Sequence, residues 1–319
     1  MVSVVIPNYN GNKYFRACIE ALESQTYTNF EIIVIDNAST DDDYMWINER
    51  KDIIFKRLDK NYGFSKAVNE GIKLAKGEYV LLLNNDTVAS ANFIEELVKM
   101  IEKDKQIFAV CSKMIQHHNN HLIDDAGDEY TILGWAYKCG DGMPITTHTQ
   151  SKRVFSACAG AAIYRKEVFD KIGYFDEKFF AYMEDVDISY RALIYGYKNM
   201  YCADAMIEHI GSATSGSKYN SFKVKLAARN NIYVPYKNMP FLQLIINMPF
   251  LLLGYLIKYI FFSRKGFGKE YKHGFIEGIK TINHIKKNKF MFTHIPNYID
   301  IEWRLIKNMF AYIIQKARK

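Results

Sequence analysis

Three short segments in the first hundred residues consist almost entirely of apolar residues. They are SVVIP at 3–7, FEIIVID at 30–36 and EYVLLLN at 78–84. Continuous apolar runs of this length are typical of parallel strands buried on both faces. Between them, residues 14–25 and 65–76 place apolar side chains at helical spacing. The alternation of strand and helix predicts an α/β fold with a mostly parallel, doubly wound central sheet.

Polar residues close each predicted strand. The first ends at Pro7 and Asn8, the second at Asp36 and Asn37, and the third at an Asn-Asn-Asp run that finishes with Asp86. Polar residues at the end of one strand are equally consistent with a turn. Polar residues at the ends of all three strands predict a ligand crevice, because ligands of such sheets bind beyond the carboxyl ends of the strands. The chain lacks G-x-G-x-x-G and P-loop patterns, and carboxylates at strand tips favour a Mg²⁺ or Mn²⁺ ion that bridges phosphates.

A second polar cluster lies in the segment 160–196. It contains Glu184, Asp185, Asp187 and Arg191, and the last two share a face if a helix begins here. The plainer alternative is a solvated helix N-terminus, where the helix dipole favours acids. The apolar run FFAYM at 179–183 instead favours desolvation of these acids, which makes one of them usable as a base.

Five strings in order resemble the family 2 glycosyltransferases of the GT-A fold, in particular the rhamnosyltransferase-like branch. They are VSVVIPNYN at 2–10, VIDNASTD at 34–41, NYGFSKAVNEGI at 61–72, LLLNNDT at 81–87 and GYFDEKFFAYMEDVDISYRA at 173–192. The resemblance implies a Rossmann-like GT-A catalytic domain over residues 1–215 that binds a nucleotide sugar. Residues 216–319 then form a helical, basic C-terminal extension.

The same resemblance assigns the residues that bind the donor. Asp36 matches the residue that contacts the nucleobase and ribose, and Asp86 matches the metal-binding carboxylate of the D-x-D motif. Two Asn replace the acidic positions before Asp86, so Asp86 is the one protein carboxylate of that motif here. The implied donor-binding residues are Pro7, Asn8, Asp36, Asn61, Gly63, Asn85 and Asp86.

The resemblance also assigns the metal and the chemistry. His209 lies where related enzymes add a histidine ligand to the metal, which is Mn²⁺ or Mg²⁺, and the loop 211–217 is expected to order over bound donor. Asp185 matches the catalytic base, which takes the proton of the acceptor hydroxyl in an inverting transfer. Glu184 is expected to orient the acceptor or Asp185, and Arg191 to pair with an acid or with the diphosphate.

Charge divides the chain into two unlike parts. Residues 1–214 carry a net charge of −8 and residues 215–319 a net charge of +15. The stretch 241–262 is almost uncharged, with Lys258 as its single charge, and is long enough to span a bilayer. Pro249 and Gly254 interrupt it, so we also consider a helical hairpin in the membrane interface and a buried core helix. Cations mixed with aromatic residues favour an anionic membrane surface as partner over nucleic acid.

The sequence therefore leads to an expected function and location. The expectation is transfer of a sugar from a UDP- or dTDP-sugar, such as dTDP-rhamnose, to a lipid-linked or growing surface glycan at the cytoplasmic face of the membrane. Five scattered cysteines without a CxxC pair fit a reducing compartment. The alternatives are a sugar-1-phosphate nucleotidyltransferase, and a membrane-docked subunit that binds glycan without catalysis. The sequence leaves the oligomeric state open.

Overall fold

A computed structural model describes residues 1–11, 13–42, 44–210 and 219–317. The strands are β1 Val2–Asn8, β2 Phe30–Asp36, β3 Ile53–Arg57, β4 Tyr79–Leu83, β5 Thr87–Ala89, β6 Ile107–Gln116, β7 Asn119–Asp125, β8 Asp128–Tyr130, β9 Ala136–Lys138, β10 Lys152–Val154, β11 Ala161–Arg165 and β12 Lys198–His209. The helices are α1 Lys13–Glu23, α2 Met45–Asn48, α3 Phe64–Leu74, α4 Phe93–Glu102, α5 Lys166–Ile172, α6 Glu184–Ile194, α7 Ser221–Asn238, α8 Phe241–Arg264, α9 Gly268–Thr281 and α10 Ile295–Ala317.

The central sheet has the strand order β10-β12-β6-β11-β4-β1-β2-β3. Strands β1 to β4 pair in parallel, and so do β6 and β12, whereas β11 runs antiparallel between β4 and β6. The register sets Asn8 opposite Asp36. The predicted strands and the mostly parallel sheet are confirmed, and the carboxyl ends of β1, β2 and β4 lie side by side.

Alternation along β1 explains why both faces of the sheet are covered. Val4 and Ile6 point into one core, with Phe15 of α1 and Leu97 of α4. Val5 points into the opposite core, which α3, α5 and α6 close. All of these strand side chains are fully buried. Burial on both faces is the physical basis of the continuous apolar runs in the sequence.

The C-terminal helices are not a detached appendage. A third core joins Tyr190 of α6 to Tyr233 of α7, Leu251 of α8 and Leu305 of α10. The helix α8 also passes very close to the chain at Leu133. The boundary predicted after residue 215 falls among residues 211–218, outside the described residues, and stays a prediction. The helical extension itself is confirmed.

Helix α8 is one continuous helix from Phe241 to Arg264. The hairpin considered at Pro249 and Gly254 is therefore wrong: Gly254 lies in the stripe that packs on the core, together with Asn247, Leu251 and Tyr255. The rest of the helix faces outward, and only 22% of its most apolar window is buried. Within the described residues, α8 is the one helix that is long and apolar enough to cross a membrane.

Candidate active site

The tips of β1 and β2 are joined by a buried network of polar side chains. The amide of Asn8 donates to the Asp36 carboxylate at 2.9 Å, and the amide of Asn85 donates to the Asn8 side-chain oxygen at 2.6 Å. All three side chains are buried. The structure thus brings together three of the residues predicted to bind donor in one buried hydrogen-bonded network.

Two residues that the sequence analysis did not select complete this network. The Ser39 hydroxyl donates to Asp36 at 2.5 Å, and the Ser39 amide donates to the other Asp36 oxygen at 3.1 Å. Arg57, at the end of β3, lies 3.5 Å from the Asp36 carboxylate and 3.9 Å above the ring of Tyr44. A signal for Ser39 was present, because it lies inside the string VIDNASTD at 34–41.

A loop before α3 closes the side of the crevice next to β2. The Asn61 side-chain oxygen accepts from the Asn37 amide and from the Gly63 N–H, both at 2.9 Å. Gly63 has a φ of 86°, and a Cβ there would lie 2.5 Å from the Phe180 carbonyl oxygen. Glycine is required because this loop touches the segment that leads to Asp185. Pro7 lies in β1 beside Ile35, without a side-chain hydrogen bond of its own.

Strand pairing sets Asp86 beside His209. The residue after Asp86 begins β5, which pairs antiparallel with the end of β12, and the His209 Nε2 atom lies 3.6 Å from the Asp86 carboxylate. The His209 Nδ1 atom bonds the Asp124 carboxylate at 2.8 Å. Burial alone would raise the pKa of Asp124, but His209 and Lys138 outweigh it and hold that pKa below its usual range.

This donor set fits a divalent cation. An ionised Asp124 accepts a hydrogen bond from the His209 Nδ1–H, and the Nε2 atom of the ring faces Asp86. A histidine that binds a metal through one ring nitrogen usually donates a hydrogen bond from the other nitrogen to a carboxylate or a carbonyl. Asp86 and His209 would hold the ion, and Asp124 would orient the histidine. The sequence gives no sign of this role for Asp124, because His209 lies 85 residues away along the chain.

The segment before α6 is held in an unusual backbone conformation. Phe180, Tyr182 and Met183 all have positive φ, from 63° to 70°. Such conformations cost free energy in residues with a side chain, so the surroundings must impose them. The amide of Asn230 on α7 does so by donating to the Phe179 and Tyr182 carbonyls at 2.9 and 2.7 Å. These hydrogen bonds fix the backbone that leads into α6.

Asp185 and Glu184 occupy the first turn of α6. The Asp185 carboxylate accepts from the Val186 N–H at 2.8 Å and from the Ala159 N–H. Burial raises the pKa of Asp185 above its usual value. Burial and the adjacent Asp185 raise the pKa of Glu184 further, and within the described residues one Glu184 oxygen has no hydrogen-bond partner.

A short chain of contacts connects Asp185 to the strand tips. Ala159, which donates to Asp185, precedes Gly160, whose carbonyl accepts from the Asn84 N–H at 2.8 Å. Asn84 is two residues before Asp86. The predicted base and the predicted metal-binding carboxylate therefore lie at the same edge of the sheet. The loop 211–217, expected to close over donor, lies outside the described residues.

Arg191 lies beneath this site. Its guanidinium donates to Asp187 at 2.8 Å and to the Ile172, Gly173 and Tyr174 carbonyls. The predicted pairing with an acid is present, but Arg191 is only 3% exposed and its N–H groups are engaged. Asp187 also accepts from Lys237 at 2.9 Å. The geometry favours a structural role for Arg191 over contact with diphosphate.

We expect Arg191→Met to lower the free energy of unfolding by about 3 kcal/mol or more, because it leaves a buried acid short of a partner. Urea unfolding measures this loss. Arg304→Met provides the control, since Arg304 pairs with a half-exposed acid at the surface. A variant of unchanged stability with a selective loss of turnover would return Arg191 to a direct catalytic role.

Curated relatives match part of the chain, from 32% to 69% of its length. GlyG of Streptococcus pneumoniae serotype 4 is 37% identical over 141 residues, which cover 42% of this chain and 44% of GlyG. The O-antigen chain rhamnosyltransferase WbaN of Salmonella anatum is 26% identical over 69% of both chains. The matches to GlyG and to an uncharacterised Rickettsia prowazekii glycosyltransferase span 44% and 58% of those proteins, about half their length.

Solved structures share the fold. GalNAc-T7 with UDP, GalNAc and Mn²⁺ matches with a TM-score of 0.60 and 19% identity, over 74% of this chain and 48% of that one. S. aureus TarS 1-349 in complex with UDP matches with a TM-score of 0.52 and 17% identity, over 91% and 94%. Both likenesses show the GT-A fold alone. The family description "Glycosyl transferase family 2" matches residues 3–173, more than half of the chain. The chain therefore belongs to glycosyl transferase family 2.

Proposed function

We propose that the protein transfers a sugar from a uridine or thymidine diphosphate donor to a hydroxyl of a lipid-linked or growing surface glycan, with inversion at the anomeric carbon. The observation that carries the proposal is the placement of Asp185 at the same edge as Asp86 and His209, through the contacts of Ala159 and Gly160. A base next to a site for a diphosphate is what such a transfer needs.

Donor binding rests on the buried network at β1 and β2. Asp36 accepts from Asn8 and Ser39, with Arg57 beside it, and its side chain is fully buried, so contact of its carboxylate with ribose or nucleobase groups requires one of these partners to give way. The relative WfaP of Escherichia coli is named a UDP-glucose-dependent glucosyltransferase that acts on a diphosphoundecaprenol-linked sugar, and it matches over 36% of this chain and 47% of its own length. That name supports a nucleoside diphosphate sugar and a lipid-linked acceptor here.

The proposed chemistry divides between two groups of residues. A divalent cation held by Asp86 and His209 would neutralise the charge that develops on the leaving diphosphate. Asp185 takes the proton of the acceptor hydroxyl, and its raised pKa makes it a stronger base. Burial raises the pKa of Glu184 well above its usual value, which suits this residue to donate a hydrogen bond rather than to accept the proton.

Incubation with a panel of nucleotide sugars and lipid-linked acceptors tests this function. Release of nucleoside diphosphate together with a glycosylated product supports the transferase. Release of pyrophosphate from a sugar 1-phosphate and a nucleoside triphosphate would instead identify a nucleotidyltransferase. Binding of glycan without either product would identify the non-catalytic subunit.

We also propose that α8 and α10 dock the enzyme on an anionic membrane, at its cytoplasmic face. Large apolar residues on the outer face of α8 include Phe241, which is 75% exposed, and Leu256, which is 54% exposed. On α10, Ile299 and Trp303 form part of an exposed stripe at helical spacing, and each is 66% exposed. An apolar cleft of about 650 Å³ lies between the starts of the two helices. Exposed apolar area of this extent marks an interaction surface, and the charge of +15 in this part suits anionic lipid.

We expect the full chain to sediment with vesicles of phosphatidylglycerol and phosphatidylcholine and to stay bound in high salt, because salt screens only the charge contribution. Leu256→Glu should lower the partition coefficient about tenfold, since burial of a leucine contributes about 1.5 kcal/mol or more. Met45→Glu is the matched control, because Met45 is 55% exposed on the distant helix α2. If the full chain stays in the supernatant even at low salt, the surface has another partner.

A further inference from the structure

Helix α7 contacts the turn before α6, residues 179–183, through a buried amide. The side-chain nitrogen of Asn230 lies 2.7–2.9 Å from three carbonyl oxygens of that turn, those of Phe179, Ala181 and Tyr182. Asn230 is fully buried. An amide nitrogen carries two hydrogens, so it can serve three acceptors only where they are arranged around it. One side chain of the C-terminal extension therefore holds three carbonyls of the turn.

Arg229, the preceding residue of α7, fixes the orientation of that amide. Its Nε–H donates to the Asn230 side-chain oxygen at 3.1 Å, so the amide nitrogen has to face the turn. A reversed amide would set its oxygen against three carbonyl oxygens. The same guanidinium donates to the Phe179 and Lys178 carbonyls at 3.0 and 3.1 Å. Arg229 and Asn230 thus act on the turn as one unit, which we call the α7 pair.

The opposite side of the turn contacts the loop that is proposed to bind donor. The Phe180 carbonyl accepts from the Ser65 N–H at 3.1 Å. Gly63 lies so close that a Cβ atom there would be 2.5 Å from the same carbonyl oxygen. Packing this close leaves little room for the turn to move on that side. The turn is therefore enclosed between the donor loop and the α7 pair.

The backbone of the turn sets the start of α6, which carries Asp185. Met183 has a φ of 70°, and its carbonyl accepts from the Asp187 N–H at 2.9 Å. Phe180 and Tyr182 also have positive φ, which residues with a side chain adopt only where their surroundings impose it. Without the contacts of the α7 pair, we expect these residues to relax toward ordinary backbone angles. Asp185, two residues after Met183, would then move with the start of the helix.

We propose that Arg229 and Asn230 are positioning residues for Asp185, so that the C-terminal extension completes the active site. The inference rests on the proposed role of Asp185 as the base, and it goes beyond that role by placing the support of the base on α7. Displacement of a catalytic group by about 1 Å can lower turnover about 100-fold. The extension then has a part in catalysis besides the proposed docking on a membrane.

Turnover and donor affinity of the full chain test the α7 pair, with the nucleotide sugar and acceptor that the panel identifies. Asn230→Ala removes the amide and should lower kcat by about tenfold or more. Donor affinity, measured by calorimetry, should stay within about threefold, because Asn37 holds the donor loop at Asn61 independently of α7. This split between kcat and donor affinity separates positioning of the base from a general loss of structure.

Asn231→Ala is the matched control, since it makes the same truncation at the next position of α7. Asn231 is also buried, and within the described residues its side-chain oxygen has no hydrogen-bond partner. Urea unfolding gives the stability of both variants, and Asn231→Ala should keep its kcat. A kcat of Asn230→Ala within about twofold of the unaltered enzyme, or an equal loss in both variants, would overturn the proposal.

Arg229→Met keeps the amide of Asn230 and replaces the first variant if Asn230→Ala does not fold. It should lower kcat by about threefold or more, because the amide is then free to turn. Lys225→Met is its control. Lys225 pairs with Glu277 at 2.9 Å, as Arg229 does at 3.3 Å, so the control removes a cation from the same acid. Equal turnover of the two variants would contradict a role of Arg229 in positioning.

Hydrogen exchange followed by mass spectrometry needs no activity. In Asn230→Ala and Arg229→Met, peptides that cover residues 179–187 should exchange faster than in the unaltered chain, while those of the central sheet stay protected. Unchanged exchange of the peptides 179–187 would overturn the proposal, because the α7 pair would then not hold the turn. Full turnover of Asp185→Asn would contradict the proposed function, whereas full turnover of Asn230→Ala contradicts this inference alone.

Discussion

Asp185→Asn is expected to lower kcat by about 100-fold or more while the affinity for nucleotide sugar stays close to that of the unaltered enzyme. The amide keeps the shape of the side chain and its contact with the Val186 N–H, because the oxygen still accepts. It cannot take the acceptor proton. Turnover with saturating donor, together with donor binding by calorimetry, separates these two quantities.

The matched control is Asp170→Asn, which makes the same change at an exposed position of α5 and should leave both quantities unaltered. Retention of more than about a tenth of kcat in Asp185→Asn would remove this residue from the role of general base. A parallel loss of donor affinity would place it in donor binding.

Asp86→Ala should raise the concentration of Mn²⁺ or Mg²⁺ needed for half-maximal turnover by about 100-fold, and His209→Ala by about tenfold. The carboxylate matters more, because it is the single anionic ligand in this proposal and its neighbour Asn85 is engaged with Asn8. Asp124→Asn should have an effect of about tenfold, since it frees the His209 ring to turn.

Metal titration of activity after chelation measures these requirements. Ser24→Ala serves as a control, because Ser24 is exposed and bonds the Glu20 carbonyl in the preceding turn of the chain. Full activity in excess chelator would contradict the assignment of Asp86 and His209 to a metal. Equal effects of Asp124→Asn and Asp86→Ala would contradict the indirect role of Asp124.

The sequence alone predicts the positions of residues whose place follows from their immediate neighbours along the chain. A run such as FEIIVID at 30–36 specifies a strand buried on both faces, and the polar residue after it then has to lie at the edge of the sheet. The positions of Asn8, Asp36 and Asn85 follow from this logic. The four-residue spacing of Asp187 and Arg191 likewise predicted their contact on one helix face.

The sequence alone could not predict contacts that depend on long-range strand pairing, or how deeply a side chain is buried. Asp124 meets His209 only because β7 and β12 both pair with β6. Nothing near Asn230 indicates that its amide would hold carbonyls about fifty residues away. The burial of Arg191 depends on the Ile172, Gly173 and Tyr174 carbonyls, which its guanidinium contacts. The spacing of Asp187 and Arg191 therefore revealed the partner of Arg191 but not its burial.

The contacts of Asp187 have a consequence for how such enzymes can be recombined. This acid on α6 accepts from Lys237 and Asn238, at the end of α7, each at 2.9 Å. A chimera joined near residue 215 would pair the catalytic half of one relative with the tail of another. Unless the tail brings a cation and an amide at these positions, the buried acid loses two partners at once. The part before residue 215 and the C-terminal helices are thus expected to be exchangeable only as a matched set.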